Sequence, residues 1–264
     1  MRQSIIQVDS FTDKPFAGNP AGVCFLDGPA KESWMRSVAS EMNLSETAFF
    51  YKQGKDYNYN LRWFTPVAEV EMCGHATLAS AHVLFKDNHV PHDNRITFHT
   101  LSGPLYASLN GEWIELNFPA KIPREESIPE NLESALGFKP SYFAKAGEDC
   151  MAVCDSEDTI RNLTPNISAI EKLPTRGLIV TARGSGDYNF ISRFFAPAVG
   201  IPEDPVTGSA HCVLAPYWMN VLGKTEMVGY QASPRGGAVR VRVEDDRVIL
   251  AGKAVIVIRG ELYT

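Results

Sequence analysis

The sequence predicts a mixed α/β protein made of two homologous halves, and three observations carry that prediction. Residues 44–67, LSETAFFYKQGKDYNYNLRWFTPV, are echoed at residues 175–198, TRGLIVTARGSGDYNFISRFFAPA. At constant offset Tyr57, Asn58, Arg62, Phe64 and Pro66 fall on Tyr188, Asn189, Arg193, Phe195 and Pro197. Each echo is followed by an apolar stretch opening on glycine, at Gly74 (GHATLASAHVLF) and at Gly208 (GSAHCVLAPYW). Each half then closes on alternating apolar residues: Leu105, Ala107, Leu109, Ile114 and Leu116 match Val239, Val241, Val243, Val248 and Leu250. A period near 130 residues is far too long for a solenoid and describes two copies of one unit.

The elements follow in order. KESWMRSVASEM spaces Trp34, Val38 and Met42 four apart, with Met35 and Ala39 on adjoining rows, which predicts an amphipathic helix. Its counterpart LTPNISAIEKL offers Thr164 as N-cap, Pro165 at the first helical position, and Ile167, Ile170 and Leu173 as the apolar stripe. TAFFYK and LIVTAR read as strands, each followed by a short turn and a second strand. The long helices begin at Gly74 and Gly208, and the closing segments read as period-two hairpins. His89 and His92 lie in a polar loop, KDNHVPHDN, and His82 is a packing residue of its helix. Prolines and charges gather in NFPAKIPREESIPEN, which marks the seam. The halves are placed at residues 1–118, joined by the final strand 253–264, and at residues 119–252.

Composition limits the function classes. The chain has 264 residues, 44% hydrophobic and 21% charged, with a formal charge of −6. That balance gives no footprint for nucleic acid or an anionic membrane. No apolar run reaches the roughly 20 residues that span a bilayer, and the N-terminus lacks a signal-peptide core. A cytoplasmic protein is expected. Five cysteines make no disulfide framework, and neither they nor the six histidines show zinc-ligand spacing, so no metal site is expected.

Polar residues that break the repeat are the candidates for chemistry. Glu46 falls on Gly177, His75 on Ser209 and Cys73 on Thr207, while Asp204 sits in an inserted loop, PEDPVTG. Glu46 is either a solvated strand-end carboxylate or, if desolvated, a general acid/base. His75 is either a solvated first-turn residue or a neutral donor held beside a helix N-terminus. Asp204 precedes proline, where a turn role is also open, and Glu203 competes with it. Cys73 at a helix start can serve as base or nucleophile, but its duplicate is threonine, which excludes a symmetric two-thiol machine. Glycine at both helix starts leaves backbone amides for a small anionic substrate.

Four motifs, VDSFTDKPFAGNPAGVC, LSETAFF, LRWFTPVAEVEMCGHAT and EDPVTGSAH, occur in this order over nearly the full chain. The chain thereby resembles the phenazine-biosynthesis isomerase (PhzF-like) family, within the diaminopimelate epimerase and proline racemase fold. The resemblance implies that each half is a strand-wrapped central helix, with the halves related by a pseudo-twofold axis about an interdomain cleft. It implies a homodimer and no cofactor. It assigns catalysis to Glu46 with His75 and Asp204, and substrate binding is expected at Gly74, Gly208, Ser209, Cys73 and Asn19. The activity implied is proton movement on a small carboxylate-containing metabolite. The alternatives kept are a cysteine-assisted epimerase or racemase and a non-catalytic metabolite-binding protein.

Overall fold

Residues Gly74–Lys86 form a helix that is buried around its whole circumference, from His75 through Phe85 with only His82 partly exposed. A helix apolar on every side has no solvent face, so other elements must enclose it. In this computed structural model, which describes residues 2–263, strands do so. The chain divides into two units, Met1–Phe118 with Ala251–Thr264, and Pro119–Leu250.

The first unit runs β1 (Arg2–Ser10), β2 (Asn19–Leu26), α1 (Glu32–Met42), β3 (Glu46–Lys52), β4 (Asn58–Phe64), β5 (Glu69–Val70), α2 (Gly74–Lys86), β6 (Ile96–Thr100), β7 (Gly103–Asn110) and β8 (Trp113–Pro119). β1 pairs antiparallel with β2 on one side and with the closing strand, Ala254–Tyr263, on the other. From β2 the pairing is parallel to β3, antiparallel from β3 to β4, parallel from β4 to β6, then antiparallel to β7 and β8. Met35, Val38 and Ala39 of α1 pack on Phe49 and Phe64, with Trp34 and Met42 at the margin. The apolar face of α1 is therefore centred one residue away from the Trp34–Val38–Met42 row.

The second unit runs β9 (Arg124–Glu125), α3 (Leu132–Leu136), β10 (Tyr142–Ala146), β11 (Asp149–Val153), α4 (Glu157–Arg161), α5 (Ile167–Ile170), β12 (Gly177–Arg183), β13 (Phe190–Ala196), β14 (Ile201–Asp204), α6 (Gly208–Leu222), β15 (Glu226–Gln231), β16 (Gly237–Glu244) and β17 (Arg247–Gly252). Its pairing repeats the first: antiparallel β10–β11, parallel β11–β12, antiparallel β12–β13, parallel β13–β15, antiparallel β15–β16. One sequence-based expectation is corrected here. The cap of α5 is Asn166, whose side chain accepts from the Ala169 amide, and not Thr164. The helix spans only four residues, so Ile170 and Leu173 reach the core from a helical turn and the segment after it.

α6 carries Pro216 in its interior. Proline removes the amide that would bond the carbonyl four residues back. That carbonyl belongs to Cys212, and it accepts instead from the Lys121 amide at 3.0 Å. The helix thereby keeps a buried backbone acceptor satisfied.

Each unit carries its own copy of one kind of ion pair. Arg62 grips Glu69 through Nε at 2.6 Å and Nη2 at 2.7 Å, and its guanidinium lies 5.1 Å from the Phe64 ring. Arg193 grips Glu203 at 2.7 and 2.8 Å and lies 5.1 Å from Phe195. Glu203 is thus a framework residue, and its competition with Asp204 for a chemical role ends there.

Candidate active site

Glu46 is the first residue of β3, in parallel register with Ala21. Strand alternation puts it on the face of Ala48 and Phe50, opposite Phe49, which packs against α1. Its side chain is 13% exposed, and Oε2 lies 3.3 Å from Nε2 of His75. The distance is that of an ion pair, but the angles do not make a hydrogen bond, and Nε2 has no hydrogen-bond partner.

His75 is the second residue of α2 and is 5% exposed. Ser10 Oγ at the end of β1 donates to its carbonyl oxygen at 2.8 Å, fixing the helix start against the sheet. Burial pushes the imidazole pKa down to about 3, so the ring is neutral at ordinary pH. The solvated reading of His75 is thereby corrected: the side chain is enclosed. Its Nδ1 lies 3.5 Å from Sγ of Cys73, the N-cap of α2. Asn19 is fully buried at the start of β2, in register with Ser10. Thr77 donates its hydroxyl back to the Cys73 carbonyl, closing the first turn.

In the second unit Asp204 is 7% exposed at the end of β14. Thr207, the N-cap of α6 and the duplicate of Cys73, donates its hydroxyl to Asp204 Oδ2. Gln231, fully buried, accepts from the Thr207 amide at 2.9 Å and donates to the Asp204 carbonyl at 2.7 Å. Asp204 is therefore held by a network that sequence reading missed, because Gln231 comes from a distant strand. His211 donates Nδ1–H to the Thr207 carbonyl at 2.8 Å, matching Thr77 in the first unit. Ser209 follows Gly208 at the start of α6, and its Oγ lies 3.3 Å from Nη2 of Arg176. Arg176 was also missed. It grips buried Asp149 with Nε at 2.9 Å and Nη2 at 2.5 Å. The signal was available, since Arg176 immediately precedes Gly177, the position that breaks the repeat.

Glu46, Cys73 and His75 offer metal-ligating atoms that all lie within 4.8 Å of one another. Spacing rules could not find this cluster, because Glu46 comes from strand β3 while Cys73 and His75 stand at the start of α2. The thiol and the carboxylate face different nitrogens of one ring. A cavity of about 490 Å³ beside α1, bordered by Leu26, Pro29 and Trp34, includes none of these residues in its lining.

Relatives carry the same architecture. Residues 8–260 match the family model described as phenazine biosynthesis-like protein. An uncharacterized isomerase of Halalkalibacterium halodurans is 52% identical over 99% of both chains. The crystal structure of a PhzF-family phenazine biosynthesis protein from Enterococcus faecalis superposes with a TM-score of 0.96, at 42% identity over 100% of both chains. A hydroxyproline epimerase from Agrobacterium vitis has a TM-score of 0.60 at 9% identity, over 99% of this chain and 91% of that one, and shares the fold. With a match that spans nearly all of its length, the chain belongs to the phenazine biosynthesis-like protein family.

Proposed function

We propose that this protein is a cofactor-independent isomerase that shifts a proton on a small carboxylate-bearing metabolite, with Glu46 taking the proton and returning it. The observation that carries the reading is the 3.3 Å approach of Glu46 to an imidazole kept neutral by burial. An imidazolium there would hold the carboxylate ionised and weakly basic, whereas a neutral ring leaves it able to accept a proton. The name of the 52%-identical relative, an isomerase, supports the reaction class. Asp204 is proposed to hold or balance charge on the substrate. The amides at Gly74 and Gly208 and the Ser209 hydroxyl are proposed to favour its carboxylate, with Asn19 among the substrate-binding residues.

A one-base shift needs a single group that removes a proton and delivers it nearby, which a desolvated carboxylate can do. Glu46→Gln keeps the size and removes the titrating group. With a substrate drawn from a screen of cyclic and amino-acid carboxylates, turnover should fall on the order of 10²–10⁴-fold. Binding of the carboxylate, measured by titration against its amide, should change little. Turnover at the wild-type rate would leave Glu46 a strand-end carboxylate and favour the cysteine-assisted alternative, whereas carboxylate binding with no turnover in the wild type would favour a metabolite-binding protein.

A further inference from the structure

We infer that Cys73 is a positioning residue: its thiol, set against Nδ1 of His75, fixes which ring nitrogen carries the proton presented to Glu46. This deepens the proposed function above and rests on it for its catalytic meaning, though not for its geometry.

Three observations carry the inference. The Cys73 side chain makes no capping hydrogen bond to α2, although it occupies the N-cap with extended backbone, φ −144° and ψ 113°. Instead Sγ lies 3.5 Å from His75 Nδ1, inside the range of a sulfur hydrogen bond. On the far side of the ring, Nε2 faces Glu46 Oε2 at 3.3 Å. Thiol, ring and carboxylate are therefore in series.

A neutral imidazole has one N–H and one lone pair. If Nδ1 carried the proton while Glu46 is ionised, the Nε2 lone pair would face a carboxylate oxygen, acceptor against acceptor. A thiol that donates S–H to Nδ1 settles the matter: the ring proton sits on Nε2, 3.3 Å from the carboxylate oxygen. When Glu46 takes the substrate's proton on its other oxygen, Oε2 remains an acceptor toward Nε2–H, so the ring and the thiol both keep their protons. No bond to sulfur forms or breaks in this role. The duplicate helix start works differently: Thr207 turns its hydroxyl to Asp204, and Ser209 stands where His75 would be.

The test is nitrogen-15 NMR of the full-length, ligand-free protein labelled in its histidine rings, with the His75 signals assigned by their loss in His75→Gln. Wild type at pH 7 should show His75 as the Nε2–H tautomer. Cys73→Ser, which restores a donor and acceptor, should keep it. Cys73→Ala should lower the tautomer ratio about tenfold or more, and Cys73→Val serves the same purpose if the alanine variant does not fold. In turnover, Cys73→Ala should lower kcat on the order of 10–100-fold with KM nearly unchanged, the size seen for outer partners that orient a metal-bound histidine, and Cys73→Ser should recover most of it. An unchanged tautomer in both Cys73→Ala and Cys73→Val would overturn the inference. So would a Cys73→Ser variant that keeps the tautomer yet loses turnover, because the thiol would then act on substrate itself. The NMR arm needs no substrate, so it stands whether or not Glu46→Gln supports the isomerase reading.

Discussion

Glu46 and Gly177 occupy one position of the repeat, and their surroundings explain the difference. A Cβ placed on Gly177 would lie 2.2 Å from Cζ of Phe194, so the ring fills the space that a side chain would need. Gly177→Ala should therefore destabilise the protein by about 1–3 kcal/mol through overpacking. Urea unfolding would measure it, and Phe194→Leu in the same chain should recover part of the loss. An alanine variant as stable as wild type would show that the ring yields freely. Glu46 was legible as a candidate because it interrupts a repeat. The reason for glycine at 177 was not, since no local pattern says where the Phe194 ring lies. The same limit hid Gln231, whose importance comes from partners brought close by folding.

Among the elements, the paired strands and long helices were readable because their periods differ and glycine opens both buried helices. Short elements were not: α5 has too few residues for periodicity to choose between Thr164 and Asn166 as its cap. The twin Arg–Glu pairs tie β4 to β5 and β13 to β14. Their second member gives a clear contrast with the exposed pair Arg242–Glu244. Arg193 and Glu203 are 9% and 17% exposed, so removing one partner strands a largely buried charge. Glu203→Gln should cost about 3–5 kcal/mol, whereas Glu244→Gln should stay within about 0.5 kcal/mol. Equal losses for the two variants in denaturant titrations would contradict the framework role given to Glu203.

At the scale of the whole molecule, burial of neutral histidines makes stability depend on pH. Desolvation pushes His75 down to about 3, and it is the main cause that takes His82 and His211 down to about 4. Unfolded histidines titrate near 6.5, so between about 4 and 6.5 the unfolded chain binds protons that the native state refuses. The stabilisation is complete above about pH 6.5 and is lost as pH falls, by up to about 1.4 kcal/mol per pH unit for each histidine. Urea midpoints should drop between pH 7 and pH 5, and His82→Gln should make the dependence shallower. A midpoint independent of pH over that interval would show that these rings are hydrated.

The closing strand, Ala254–Tyr263, lies along β1 from Ser10 back to Arg2. Among the described strands, the earliest made is therefore completed by the latest. At about 5–20 residues per second, β1 waits roughly 7–30 s after residue 118 for its second neighbour. The unit Pro119–Leu250 is contiguous and needs nothing made later. Synthesis thus presents the halves in one order and completes them in the other, and through that interval the older half keeps an open strand edge of the kind that other chains can join.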